Sequence, residues 1–453
     1  MTIWTPSGVS PTGPRYLAIV ESLAGDIAAG RLVSGDRLPP QRDLAGRLGV
    51  TLTTVTRAYA EAARRGLVEG EVGRGTFVRA ALETPDDPDA PIDLSLNALL
   101  PHAHAAELAA RLSPAGPLGQ RIRLLDYHPP LGADEHRAAG RAWLEQRGWN
   151  CGAHQVAVTA GAQHGLLVVL LALMPRGGGL LVEEVTYAGL KQLAAHLHVT
   201  LHPVAMDPQG LSPADLDSAC RQFPARVLYT MPALQNPTGF SSPPARLEEI
   251  AAVARRHDLT IVEDDTYGFL APDVPLLASM APDRTIVVTS LSKSVAGGFR
   301  VGYVAVPSRM RETLASCIWN TVVMASPVTA HLAAALVADG TAARVVDWKR
   351  GEMRERQAMA RRMFPMVSAG THPASPHVWL PLERPWRAEM FAARARARGV
   401  LVTPSTAFAA REGASPRAVR VALGPPRSRD RLQEGLARLH DLQGETPEPA
   451  GVL

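Results

Sequence analysis

The sequence predicts an α/β chain in two unequal parts: a small, mostly helical N-terminal domain ending in a hairpin, and a large domain built on a mostly parallel sheet. Three observations carry this expectation. At 453 residues the chain is too long for one ordinary core. Its first eighty residues read as helix, glycine turn, helix, then two short strands around a Gly-rich tip. Beyond residue 91, short β-branched runs alternate with helical stretches that carry Ala and Leu on one face.

Composition narrows the class. A hydrophobic share of 46%, a charged share of 20% and a formal net charge of +4 describe a globular protein rather than a polycation, so any nucleic-acid surface must be local. The longest apolar stretch, "GLLVVLLALM" from Gly165 to Met174, is too short to cross a bilayer, runs into Pro175, and reads as a buried helix. The N-terminus lacks the basic start and apolar run of a secretion signal. Cys151, Cys220 and Cys317 are far apart and odd in number, which argues against a disulfide framework or a zinc cluster. A cytoplasmic protein is expected, and no metal is.

In the first part, Ile19, Leu23 and Ile27 recur at helical spacing and Gly30 ends that segment. "LPPQRDLAGRLGV" predicts a short helix with Leu44 and Leu48 on one side, broken at Gly49. Thr51 is placed to cap the next helix, whose inward stripe is Val55, Tyr59 and Ala62, with Thr53, Thr54 and Arg57 nearer the exposed side. "GLVEGEVGRGTFV" then predicts a wing carrying Arg74. Helix, tight turn, helix and wing form the skeleton of a winged helix-turn-helix, which presents its second helix to the major groove. Residues 1–80 hold ten Arg, no Lys and seven acids, a modest excess of +3. On pattern alone, a small helical protein-interaction domain remains an alternative.

The run "LPPQRDLAGRLGVTLTTVTRAYAEAARRGLVEGEVGRGTFV" resembles the winged helix-turn-helix of the GntR family of bacterial regulators over its whole length. The resemblance implies DNA contacts at Arg42, Thr51, Thr53, Thr54 and Arg74. Leu52 departs from it, standing where relatives commonly place Arg, which removes one possible contact. Small hydroxyls and helix-end amides hold phosphates, while Arg reads guanine edges or a narrow minor groove.

Residues 81–91, rich in Pro and Asp, read as a linker between the domain at 1–80 and the domain at 92–445, with a C-terminal tail at 446–453. In the large domain "QVAVTA", "GLLVEE", "RVLYTM", "LTIVED", "RTIVVTS" and "GYVAV" are the predicted strands. Ligands of such sheets gather outside the strand C-termini, and the unusual polar clusters fall there. "TAGAQHGL" opens a helix, so the amides of Ala162 and Gln163 can face an anion; a tight turn without a ligand fits the same letters. "LQNPTGF" carries Asn236 in what is also an ordinary turn signal. "IVEDDTYGFL" ends a strand in Glu263, Asp264 and Asp265 with Tyr267 close behind; a solvated loop is the plain alternative.

The fourth cluster is "SLSKSVAGGFRVGY". Lysine occurs only at 191, 293 and 349 against 44 arginines, so Lys293 needs a property that a guanidinium lacks. A primary amine condenses with an aldehyde to a Schiff base; a permanently protonated guanidinium does not. Ser290, Ser292 and Arg300 in the same loop suit a phosphate. An aldehyde and a phosphate on one small molecule describe pyridoxal 5′-phosphate (PLP). Its ring nitrogen needs a carboxylate such as Asp264, its phenolic oxygen donors such as Asn236 and Tyr267, and its ring face a flat partner such as Tyr187.

Taken in order, Gly-Ala-Gln, Tyr, Asn-Pro-Thr-Gly, Asp-x-x-Tyr and Ser-x-Ser-Lys-x6-Arg resemble the fold-type-I aminotransferases over roughly residues 92–440. The resemblance implies the PLP-dependent transferase fold type I, with a large parallel-sheet domain and a small α+β domain. It assigns Lys293 to the internal aldimine, Asp264 to the pyridine nitrogen, Asn236 and Tyr267 to the phenolic oxygen, Tyr187 to stacking, and Ser290, Ser292, Arg300, Ala162 and Gln163 to the phosphate. It further matches Arg420 in "AVRVALG" to the grip on a substrate carboxylate, and Tyr127 in "LDYHPPLG" to a tyrosine that reaches the partner subunit's phosphate, which implies a homodimer. Ala162 in place of Ser or Thr, and Val185 in place of a Pro before Tyr187, are departures.

A GntR-type domain followed by an aminotransferase-like domain resembles the MocR subgroup of bacterial regulators. That implies an effector-responsive transcription regulator in which PLP senses an amino-acid-like or B6-related ligand. An active aminotransferase carrying a DNA-binding domain is the competing expectation, and a DNA-binding protein that responds to cofactor alone is a third. Arg420 and the winged helix are the features that separate them.

Overall fold

The computed structural model describes residues 4–6, 14–28, 31–32, 36–64, 67–71, 75–78, 90–100, 108, 124, 126–174, 176–368 and 370–445. The chain divides into two compact units, Met1–Pro88 and Asp89–Leu453. Arg74, residues 81–89 of the expected linker and the tail 446–453 lie outside the described residues.

In the N-terminal unit, α1 (Arg15–Ala28), α2 (Gln41–Leu48) and α3 (Leu52–Arg64) precede an antiparallel pair, β1 (Val68–Glu71) and β2 (Gly75–Val78). Val55, Ala58, Tyr59 and Ala62 recur at helical spacing and are all buried, against Ile19, Leu23 and Leu44. The helix-to-helix turn depends on Gly49, whose φ of 61° is left-handed and whose N–H returns to Ala45 and Gly46 carbonyls to close α2. Thr51 caps α3, its Oγ1 accepting the Thr54 N–H at 3.2 Å. Tyr59 donates from the core to the Pro39 carbonyl at 2.8 Å, which ties α3 to the segment entering α2. Trp4, unremarked in the sequence reading, is buried as well and donates to Asp26 at 2.7 Å.

Leu44 is fully buried at the α2–α3 junction. Leu44→Ala is expected to destabilise this unit by about 2–5 kcal/mol, read as faster amide exchange in α2 and α3 peptides with exchange in the C-terminal unit unchanged.

The C-terminal unit begins at β3 (Ile92–Asp93) and helix α4 (Asp134–Glu145), then enters the sheet at β4 (Val156–Thr159) followed by α5 (Ala162–Leu173). The other strands are β5 (Gly179–Glu183), β6 (Thr200–Val204), a small hairpin of β7 (Met206–Asp207) and β8 (Gly210–Leu211), β9 (Val227–Thr230), β10 (Thr260–Asp264), β11 (Thr285–Ser290) and β12 (Gly302–Ala305). Seven of them form one sheet in the order β4-β12-β11-β10-β9-β5-β6. Every neighbouring pair is parallel except those of β12, which runs antiparallel to both β11 and β4. Six strands stand where the sequence predicts them. The seventh, β6, is a half-buried edge strand whose His202 and Pro203 obscure the β signal, as edge positions allow.

Alternation along the strands builds three layers. Leu180, Val182, Tyr229 and Val262 pack on one face with α5, while Leu181, Leu228 and Ile261 pack on the other. After α6 (Pro327–Ala338), the long helix α7 (Thr341–Met363) carries Val346 and Met353 into this core and Ala360 into a second one. That second core belongs to a smaller α+β region, in which β13 (His377–Pro381), β16 (Ala418–Ala422) and β15 (Thr403–Pro404) pair antiparallel and β14 (Val400–Leu401) pairs parallel with β3. Among the described residues no helix is long and apolar enough to cross a membrane.

Candidate functional site

A cavity of about 390 Å³ opens beyond the C-terminal ends of the parallel strands, walled on its far side by Thr403, Phe408 and Arg420 of the smaller region. Chain direction in the sheet brings the predicted residues together there. Ala162 and Gln163 open α5 after β4; Tyr187 follows β5; Asn236 follows β9; Asp264 and Tyr267 follow β10; Ser290, Ser292, Lys293 and Arg300 follow β11; Arg420 enters from β16. All eleven line the cavity. Tyr127 does not: it is 85% exposed, on the loop before α4.

The three adjacent acids at the end of β10 are not a solvated loop. All are buried, and strand alternation sends them to different partners. Glu263 accepts the Leu277 and Ala278 N–H groups at 2.8 and 2.9 Å, and burial pushes its carboxyl up to about 8. Asp265 is gripped by both ends of the Arg147 guanidinium at 2.9 Å. Only Asp264 faces the cavity, accepting from Tyr229 Oη at 2.8 Å and Thr266 N–H at 3.0 Å; burial raises its carboxyl too.

Lys293 donates to the Asn97 carbonyl. Burial, helped by the Arg420 and Arg300 guanidiniums, pushes its ammonium down to about 8, so the reactive free amine is far easier to reach than on an ordinary lysine. Behind it lies a second buried lysine that pattern reading passed over. Lys349 of α7 donates to the Leu99, Lys293 and Val295 carbonyls at 3.0, 3.2 and 2.9 Å, holding the Lys293 loop against the 97–99 segment. Burial, then the Lys293 charge, lowers it to about 7.

Both depressed lysines carry a sign. Between about pH 7 and their unperturbed range, the unfolded chain binds protons that the folded chain does not, so stability rises with pH. Thermal melts of cofactor-free protein are expected to show this slope, up to about 1.4 kcal/mol per pH unit for each lysine. Lys349→Met should remove its share; an unchanged slope in that variant counts against the assignment.

Asn97 is a second residue that no motif marked. Its side-chain amide donates to Tyr267 Oη at 2.8 Å and meets His377 Nδ1 at 3.1 Å, while His377 Nε2 reaches the Gln235 carbonyl at 3.0 Å. Burial lowers His377 to about 3, so the ring is neutral, donating from Nε2 and accepting at Nδ1. Tyr187 donates to Gln163 Oε1 at 3.0 Å.

Arg420 is 7% exposed and has no ion-pair partner among the described residues. It donates to Asn236 Oδ1 at 3.0 Å, the Ser95 carbonyl at 2.5 Å and Thr403 Oγ1 at 3.4 Å, and lies over the Phe408 ring at 4.8 Å. Its Nε is left without a partner. A buried guanidinium held only by neutral groups is set for an anion.

The opposite end of the cavity suits a phosphate ester. Arg300 bonds Ser292 Oγ at 3.3 Å and lies so close to the α5 N-terminus that a Cβ on Gly161 would sit 2.8 Å from its Nη2. At φ 88° a side chain on Gly161 would be strained and would displace the Arg300 guanidinium. Ser290 Oγ, Thr266 Oγ1 and Asn97 Oδ1 are buried without a partner, which is costly unless a ligand supplies one. Hydroxyls, a guanidinium and a helix N-terminus at one end, a lysine and a lone carboxyl at the centre, and a second guanidinium beyond make a donor set that fits PLP.

In the N-terminal unit, Arg42, Thr51 and Thr53 are exposed. Thr54 is half-buried, its hydroxyl engaged by Thr51 Oγ1 at 2.8 Å, so it is less available than the sequence suggests. Leu52 is 43% exposed beside them.

The fold and cavity define a PLP-dependent enzyme scaffold carrying a separate helix-turn-helix unit. The chain belongs to the class I and II aminotransferase family, which it matches over residues 91–439, and residues 15–78 match the bacterial regulatory proteins of the gntR family. PLP is the cofactor of that aminotransferase family. Among relatives, the HTH-type transcriptional regulator YdeF of Bacillus subtilis is 28% identical, covering 97% of this chain and 96% of its own. The probable rhizopine catabolism regulatory protein MocR of Rhizobium meliloti is 27% identical, covering 68% of each chain. In fold, the α-aminoadipate aminotransferase LysN of Thermus thermophilus, complexed with N-(5'-phosphopyridoxyl)-L-leucine, superposes with a TM-score of 0.69 at 22% identity over 78% of this chain and 92% of its own.

Proposed function

We propose that this protein is a ligand-responsive transcription regulator of the MocR type, in which the C-terminal unit senses an amino-acid-like ligand through PLP. One observation carries the sensing half: a buried lysine whose ammonium is destabilised and an ion-pairless buried guanidinium face the same cavity. Bound there, PLP supplies an aldehyde that exchanges between primary amines and a ring that withdraws electrons. Lys293 anchors it, and Asp264 holds a proton at the ring nitrogen, relieving the burial of its own carboxylate. Ser290, Ser292, Arg300 and the amides of Ala162 and Gln163 hold the phosphate; Asn236 and Tyr267 serve the phenolic oxygen; Tyr187 covers the ring. Arg420 selects ligands carrying a carboxylate.

The DNA half rests on the gntR match and on the exposed Arg42, Thr51 and Thr53. Relatives named as regulators support the same reading. A coupling of about 1–3 kcal/mol between ligand and DNA suffices for a 5- to 150-fold response. Tyr127, exposed and outside its own cavity, supports a homodimer in which it reaches the partner subunit's cofactor phosphate.

The completeness of the Lys293, Asp264 and Arg420 set also favours a second reading, an active aminotransferase. The deciding experiment is fluorescence anisotropy with DNA from upstream of the protein's own gene at physiological salt, with and without PLP and α-amino acids, beside a multiple-turnover assay with a keto acid. Ligand-modulated DNA binding with negligible turnover supports the regulator. Turnover without DNA binding overturns it.

A further inference from the structure

Away from the cavity, α4 packs against α6. Where they meet, Glu135 and His136 of α4 face His331 of α6. Both imidazoles are buried, 1% and 7% exposed, whereas the Glu135 side chain is 48% exposed. His136 Nε2 and His331 Nδ1 make no hydrogen bond; each points to the Glu135 carboxylate, at 3.6 and 3.5 Å. Those separations are too long for hydrogen bonds. They are close to the ~3.4 Å edge of a tetrahedron drawn by three ligands ~2.0–2.1 Å from a zinc ion. All three ligand atoms lie within 4.8 Å of one another. The His128 ring stacks on His136 at 5.8 Å, nearly parallel, and the His128 backbone N–H donates to Met324 Sδ at 3.0 Å.

We propose that Glu135, His136 and His331 form a binding site for one zinc-class divalent ion, clamping α4 to α6 outside the PLP cavity. Two imidazole nitrogens and one carboxylate select a borderline transition-metal ion over magnesium or calcium, which prefer all-oxygen shells. Three protein ligands leave a fourth position for water or another donor, and the half-exposed Glu135 gives the ion a way in. The two buried nitrogens gain the partner that they otherwise lack. None of the three residues lines the cavity, so the site is independent of the cofactor.

The test is isothermal titration of untagged, chelator-treated full-length protein with ZnCl2, and separately with MgCl2, beside thermal melts. One zinc per chain, no magnesium uptake and a zinc-dependent rise in Tm are expected. Glu135→Gln and His331→Ala should each weaken zinc by more than the ~10–100-fold that an outer-shell partner is worth, with the far-UV spectrum unchanged. His136→Leu serves as a third variant; should it fail to fold, the other two decide. Absence of zinc binding below ~100 µM, or binding that survives both Glu135→Gln and His331→Ala, overturns the site and leaves a simple histidine–carboxylate cluster.

Discussion

Lys293→Ala is expected to abolish covalent retention of PLP and the visible absorbance of the reconstituted protein. With only three lysines in the chain, the measurement is clean. After borohydride reduction and digestion, the pyridoxyl mass should sit on the peptide containing Lys293 in wild type and on no peptide in the variant. Lys293→Arg is the sharper comparison. It keeps a cation near Asn97 and Lys349 but cannot condense with an aldehyde, so it should lose attachment as fully as alanine does. The other lysines are poor substitutes: Lys349 is buried with three carbonyl acceptors and Lys191 is bound to Thr406 outside the cavity. A pyridoxyl mass on either one would sink the sensor reading.

Arg420→Gln is expected to weaken carboxylated amines by about 30-fold or more, because truncating one side of a buried, hydrogen-bonded charge pair costs about 2–5 kcal/mol. The amine lacking the carboxylate should be little affected. Absorbance titrations of PLP-loaded protein with an α-amino acid and with its decarboxylated amine measure the ratio directly. Arg420→Lys should recover only part of the loss, since an ammonium cannot keep Asn236 Oδ1 and the Ser95 carbonyl while presenting a planar fork. Equal losses for both amines would mean that Arg420 shapes the cavity rather than grips a carboxylate.

Much of the cavity was legible because a parallel α/β sheet delivers local sequence to one place. Each polar cluster is a few residues long and follows its own strand, so reading the strands was enough to gather Ala162, Tyr187, Asn236, Asp264 and Lys293. The winged unit was legible for a similar reason, since Gly49, Thr51 and the Val55–Tyr59–Ala62 stripe are local devices. The edge strand β6 escaped because an edge tolerates His and Pro, which dilute the pattern.

The rest depended on distance along the chain. Asn97 meets Tyr267 and His377 across 170 and 280 residues, and Lys349 meets Leu99 across 250. No spacing rule reaches that far. The run Glu263-Asp264-Asp265 shows the division most clearly. Its residues lie on alternate sides of a strand by covalent geometry alone, but only the packing of Arg147 and of the 277–278 backbone against one side leaves Asp264 for the cavity. The paired histidines His136 and His331 likewise become a cluster only when α4 and α6 pack. Chain order thus settled which chemical groups stand at which strand ends, because those groups are covalent neighbours of the strands. Tertiary packing settled which of them lost water and which were left without partners, because burial belongs to the whole fold.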